Sequence, residues 1–230
     1  MIDVEDPEQK LELQNMLDKY DATKMFLTVM SDSSNASMDP EVLNSFLELG
    51  IKLLEGGNTR IQKNIYNYCV TFQKSEALFA KFYAVITTFS NRLKRQVTSE
   101  AMELELTELA EDYSNLGPVI LENTLRLLQL FTEGHYTDLQ NYVRFQTNSR
   151  NSYDMVAAVT ELLRSYLNHM NQANYESIMR CLDTLAEFVQ GPCPENQMSL
   201  IDGKFFEVVN SILTVINIFA INRKKKLNLL

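Results

Sequence analysis

The sequence predicts an all-α protein: an armadillo/HEAT-like solenoid of stacked helix pairs. Three observations carry that prediction. Apolar residues recur three and four positions apart along nearly the whole chain, as on one face of a helix. Seven Gly and five Pro in 230 residues are about half the usual share, and a β-sandwich or barrel needs turn residues every 8–12 positions or so. A short motif recurs between helices, as it does where like units stack.

The elements follow in order. Leu43, Phe46, Leu47, Gly50 and Leu54 share a face after Pro40, a residue suited to a first helical turn. Leu78, Phe82, Val85, Ile86, Phe89 and Leu93 mark a long helix from about Ser75 to Gln96. Met102, Leu106, Leu109 and Tyr113 mark another. Ile120, Thr124, Leu127, Leu128 and Phe131 follow Pro118. Val156, Val159, Leu163, Tyr166 and Leu167 form the next stripe, and Tyr175, Ile178, Leu182, Leu185 and Val189 repeat it. The last helix carries Phe205, Val208, Val209, Ile212, Ile216 and Phe219. Ten or so helices are expected. Ser31–Pro40 and Ser114–Pro118 read as loops.

The recurring motif is Glu-Gly-x-x-Thr-x-Ile/Leu-Gln. It runs from Glu55 to Gln62 and again from Glu133 to Gln140. Gly56 and Gly134 lie 78 residues apart, about two repeats of armadillo/HEAT length. Phe188-Val189-Gln190-Gly191-Pro192 is a third helix–Gly stop, and glycine at such stops can take the left-handed conformation that ends a helix. Common helix–Gly–helix turns would give the same pattern, so the motif alone leaves both readings open.

Charge and targeting bound the function. The net charge of −9 argues against a nucleic-acid surface. The acidic N-terminus has no apolar signal core. Cys69, Cys181 and Cys193 are far apart and form no C-x-x-C pair, which suits reduced thiols. Cys193 either packs as a small hydrophobe or is exposed in its proline-flanked turn. Phe205–Ile221 is apolar but carries Glu207, Asn210, Ser211 and Asn217, so it reads as a buried helix rather than a membrane span. The basic cluster Arg223–Lys226 reads as a solvated helix end. The final Leu227-Asn228-Leu229-Leu230 has no closing cap, as in a piece of a longer protein.

Catalytic constellations are absent. Neither His135 nor His169 has a motif neighbour, and no nucleophile elbow, zinc motif or phosphate-binding glycine loop occurs. The expectation is that the chain is not an enzyme. The seven carboxylates between Gln96 and Leu125 stand without Lys or Arg and read as a solvated helix face or a cation surface. No EF-hand loop is present, and Asp32 and Asp39 flanking a Ser-rich loop are a weak pattern. Glu133 and Glu187 are more pointed. Each falls in the last turn of its predicted helix, where the macrodipole disfavours a carboxylate unless a cation is near. Glu55 has the same local setting. Two glutamates cannot supply the six to eight oxygens or so that Ca²⁺ takes, so other donors must contribute.

Two blocks resemble a known family. Leu185 to Gln197, with its Gln190-Gly191-Pro192-Cys193 core and Asn196-Gln197, resembles the signature of the homology-associated domain shared by inositol trisphosphate receptors and ryanodine receptors. Leu127 to Gln146, with Asp138-Leu139-Gln140-Asn141, is similar to the other block of that domain. Leu53 to Gln62 and Lys74 to Tyr83 look closer to the inositol trisphosphate receptor. The resemblance implies a cytosolic, Ca²⁺-sensing α-solenoid segment of a tetrameric calcium-release channel of the endoplasmic reticulum, without a pore of its own. It divides the chain into helical repeats at 1–116 and the homology-associated domain at 117–230 of one continuous solenoid. It makes Glu133 and Glu187 the ligands of a regulatory Ca²⁺, with His135 and Gln190 supporting them. A further ligand then comes from a pore-proximal C-terminal domain. The acidic Thr98–Asp112 stretch stands where such receptors carry a longer insert, and the segment between Tyr166 and Tyr175 is short. The alternative is a stand-alone helical scaffold, or a channel fragment, that does not sense Ca²⁺.

Overall fold

The computed structural model describes residues 6–33, 38–72, 75–99, 117–171 and 174–227. The acidic block and the helix expected at Met102–Tyr113 lie outside those residues. Among the described residues there are eleven α-helices and no strand. They are α1 (Pro7–Lys19), α2 (Ala22–Met30), α3 (Pro40–Leu54), α4 (Thr59–Phe72), α5 (Ser75–Ser99), α6 (Gly117–Thr132), α7 (Thr137–Arg144), α8 (Met155–Ser165), α9 (Tyr175–Val189), α10 (Pro194–Asp202) and α11 (Phe205–Leu227). A 3₁₀ turn, Tyr166–His169, follows α8.

Local chemistry starts these helices. Asp6 and Asp39 each precede a proline, and each carboxylate accepts the first free backbone N–H groups: Glu8 N at 3.1 Å and Glu41 N at 2.9 Å. Asp39 is thus a helix cap rather than a cation ligand. Asp154 caps α8 in the same way through Ala157 N at 2.9 Å. Asn58 Oδ1 accepts from Ile61 N at 3.2 Å and starts α4.

The helices stack in three parallel rows. α3, α6 and α9 pack side by side; α2, α5, α8 and α11 form a second row; α1, α4, α7 and α10 form a third. The repeating unit is therefore a helix triplet, and not the expected pair. α1–α3, α4–α6 and α7–α9 are complete triplets, and α10–α11 begin a fourth. The additional helix, α4, α7 or α10, lies between the apolar stripes that the sequence shows. It also corrects the reading of the 78-residue spacing: Gly56 and Gly134 bracket one triplet, lengthened by the 25-residue α5 and the residues after it, rather than two repeats.

One core runs through the stack. Phe26, Phe79, Phe82, Phe131 and Phe188 are fully buried among Leu and Ile from all three rows. Phe82 meets Phe131 edge-on with centroids 6.2 Å apart, and Phe79 meets Tyr142 at 5.5 Å. Burying a side chain of this size stabilises by about 1.5–3 kcal/mol. Polar pairs then fix register within the second row, between α5 and α8: Ser90 and Ser165 hydroxyls lie 2.8 Å apart, and Lys94 pairs with Glu161 at 2.9 Å.

α11 departs from expectation. Val208 and Ile212 are buried, but Phe206 is 68% and Leu213 53% exposed, so it is an edge helix with one face packed. Among the described residues no helix is long and apolar enough to cross a membrane. Cys193 is buried, and its thiol donates to Phe188 O at 3.5 Å, which decides for packing over exposure. Cys69 and Cys181 are also buried and unpaired, and burial pushes the Cys69 thiol up to about 12.

Candidate functional site

The ends of α3, α6 and α9 are each gripped by a glutamine from the first helix of their own triplet. Gln14 on α1 donates its amide to Lys52 O and Glu55 O, both at 2.9 Å. Gln62 on α4 donates to Leu130 O at 3.0 Å and Glu133 O at 2.8 Å. Gln140 on α7 donates to Glu187 O and Gln190 O, both at 2.8 Å. Each time the acceptors are three residues apart in the last turn, where carbonyls have no intrahelical donor. All three glutamines are buried. Gln62 and Gln140 are the glutamines that close the recurring sequence motif, so the motif exists because each copy supplies the donor for the following helix end.

The clamps align the three ends by structure. Glu55, Glu133 and Gln190 occupy one position; Lys52, Leu130 and Glu187 occupy the other. At the first end Glu55 Oε2 lies 3.4 Å from Lys10 Nζ and 3.5 Å from Lys52 Nζ. At the second end both lysines are replaced. Leu130 stands where Lys52 stood, and Asn58, four residues before its glutamine, stands where Lys10 stood.

Glu133 consequently has no ion pair among the described residues. Its Oε2 is buried without a hydrogen-bond partner. Its carboxyl group lies over Gly57, where a β-carbon would come 3.6 Å from Glu133 Cγ and 3.9 Å from Oε1. Glu187, on the neighbouring helix end, has its pKa raised, first by burial and then by the Glu133 charge; His135 and Arg126 oppose the shift. Oriented to satisfy both groups, the Gln190 amide nitrogen donates to Glu187 Oε2 at 3.1 Å and Oε1 at 3.2 Å. His135 itself has a left-handed backbone, with φ of 62°, and its ring rests on Gly191, where a β-carbon would sit 3.5 Å from Nδ1. Gly191 also needs its φ of +83°, so both space and backbone favour glycine there.

The four residues singled out in the sequence therefore meet at one place, the adjoining ends of α6 and α9. The Glu133 charge acts on the Glu187 carboxyl there, and Glu133 has an orphaned oxygen. A hard divalent cation at that position would supply the missing positive charge. Among the described residues no group of three or more His, Cys, Asp or Glu is placed to hold a metal, so the pair is an incomplete donor set by itself. Gln62 and Gln140, which fix the backbones of Glu133 and Glu187, were not among the residues singled out in the sequence. Their signal was present in the motif, but their acceptors lie 47–71 residues away.

Residues 117–213 match the family described as RyR and IP3R Homology associated. The match begins at the first residue of α6 and includes α7 to α10. The chain is also 34% identical over 90 residues to the inositol 1,4,5-trisphosphate receptor itr-1 of Caenorhabditis elegans. That similarity covers 35% of this chain and 3% of the nematode receptor, so the chain spans a small fraction of that relative's length.

Proposed function

We propose that the chain, whose residues 117–213 match the homology-associated domain of inositol trisphosphate and ryanodine receptors, is a regulatory α-solenoid segment of a calcium-release channel of the inositol trisphosphate receptor type. Its role is to bind and relay rather than to catalyse. Its partners are other domains of the channel, above all a pore-proximal C-terminal domain, within a homotetramer. Its place is the cytosolic face of the endoplasmic reticulum membrane.

Glu133 and Glu187 would hold a regulatory Ca²⁺, with His135 and Gln190 beside them. The observation that carries this reading is the contrast between equivalent helix ends: Glu55 is neutralised by two lysines, whereas Glu133, whose charge helps to raise the Glu187 pKa, keeps an unpartnered buried oxygen. Bound Ca²⁺ would supply the charge that Lys10 and Lys52 supply at the first end. The remaining oxygens would come from water and from the partner domain. Affinity would then depend on how closely that domain approaches, and differential affinity is what biases a two-state equilibrium.

Calorimetric titration of the chain with CaCl₂ tests the site. Weak binding is expected, because the donor set is incomplete, and it should vanish in Glu133→Gln and in Glu187→Gln but persist in Glu55→Gln. Tight binding indifferent to Glu187→Gln counts against the site and favours a scaffold that does not sense Ca²⁺.

A further inference from the structure

Resting on that reading of Glu133 and Glu187, we infer that Gln140 and Gln62 are the positioning residues of the cation site: they hold the two ligand-bearing helix ends at a fixed separation. The argument starts from connectivity. After Glu133 the chain passes through Gly134, His135 and Tyr136 into α7, and Gln140 lies on the first turn of that helix. Its amide then takes the carbonyl of Glu187 itself and that of Gln190, each at 2.8 Å. Seven residues and one side chain thus tether one ligand's backbone to the other's. Gln62 holds Glu133 from the opposite side, through the Glu133 carbonyl at 2.8 Å. Both carboxylate-bearing residues are therefore anchored at their own main chain.

Two further observations agree. Gln140 is wholly buried, and its Oε1 has no hydrogen-bond partner, so its paired contacts are the two N–H donations. Asn196 then locks the glutamine's backbone, donating to Gln140 O at 2.7 Å and to Phe188 O at 2.8 Å, one residue beyond Glu187. The anchor is built from both sides.

The fold supplies its own control. Gln14 makes the same two-carbonyl clamp at the end of α3, where Glu55 is already ion-paired. A purely structural role predicts the same outcome for all three glutamines. A positioning role separates Gln14 from the others.

The experiment is a ¹⁵N–¹H NMR titration of the 230-residue chain with CaCl₂, following the Gly134 and Gly191 amides, with MgCl₂ as comparison. Gln14→Leu, Gln62→Leu and Gln140→Leu are compared with the native chain, and thermal melts are recorded in EDTA. All three substitutions should lower Tm. Gln140→Leu and Gln62→Leu should also weaken Ca²⁺ binding roughly tenfold or more, the usual loss when a group that orients a metal ligand is removed. Gln14→Leu should bind as the native chain does. Should Gln140→Leu leave too little folded chain, Gln62→Leu decides alone, because it acts on Glu133 through a different triplet. Equal losses of affinity for Gln14→Leu and Gln62→Leu, or no loss for Gln62→Leu and Gln140→Leu, overturn the inference and leave the cation site standing. Binding that survives in Glu133→Gln and Glu187→Gln overturns the site itself, and the inference with it.

Discussion

Glu55 and Glu133 stand at the same place in successive triplets, and among the described residues only Glu55 is ion-paired: Lys10 Nζ lies 3.4 Å from its Oε2. The substitution of glutamine should therefore act oppositely at the two positions. Glu55→Gln loses two half-exposed ion pairs and should cost up to about 1 kcal/mol, less at high salt. Glu133→Gln removes an unpaired carboxylate from beside Glu187 and should be neutral or mildly stabilising in EDTA. Urea unfolding of both variants at low and high salt checks the contrast. Equal destabilisation by the two would mean that Glu133 has a stabilising partner after all.

The pH dependence of Glu187 carries a definite sign. Its pKa is raised above the ordinary carboxylate value of 4.5, by burial and then by Glu133. The folded state thus holds a proton that the unfolded chain releases, and stability falls as pH rises from 4.5 through the raised value. Above that window the penalty is complete; below 4.5 it is gone. Glu187→Gln should raise Tm at pH 7 in EDTA and give no gain at pH 4. The side chain is partly exposed, so solvent screening keeps the effect within about 0.5 kcal/mol. A gain that persists at pH 4 would place its cause in packing rather than charge.

Gln62 and Gln197 sit at matching places, each six residues after its motif glycine, Gly56 and Gly191. Their surroundings differ. Gln62 is buried and ties the first helix of its triplet to the end of the third, whereas Gln197 is exposed and donates to Val189 O and Gly191 O just before it. Gln62→Leu leaves two helix-end carbonyls without donors and should cost about 2–3 kcal/mol. Gln197→Leu should stay within about 0.5 kcal/mol. Chemical denaturation of the two variants reads the difference directly.

Much of this was legible in the sequence. The long apolar stripes located α3, α5, α6, α8, α9 and α11, because a face buried against a core must repeat every three to four residues. The helix triplet was not legible: α10 runs nine residues and buries only Asn196 and Leu200, too little apolar surface to form a stripe. The glutamates were found through their helix ends and their family blocks. The lysines that distinguish Glu55 from Glu133 were not, since Lys10 reaches Glu55 across 45 residues of chain and only the clamps define which positions are equivalent.

Gly50 offers the last test, at the joint between the first two triplets. It lies in the middle of α3, where alanine would ordinarily favour the helix by about 1 kcal/mol. The structure reverses that preference. A β-carbon at Gly50 would come 3.0 Å from Leu127 Cδ1 on α6 and 3.0 Å from the Phe26 ring on α2. Leu127 and Phe26 are both buried, at 0% and 1% exposure, so neither has free space into which to retreat. Gly50→Ala must therefore push α3 away from α6 or force a side chain off its rotamer, at a cost of about 1–3 kcal/mol less the helix gain. The stack transmits such a shift, because Asn123 on α6 is bonded to Asn44 on α3 at 2.8 Å and the end of α6 carries Glu133. Gly50→Ala should lower Tm, and the Gly134 amide resonance should move although it lies a full helix away. A stable variant with an unmoved Gly134 signal would show that Phe26 yields locally and that the joint is softer than its distances imply.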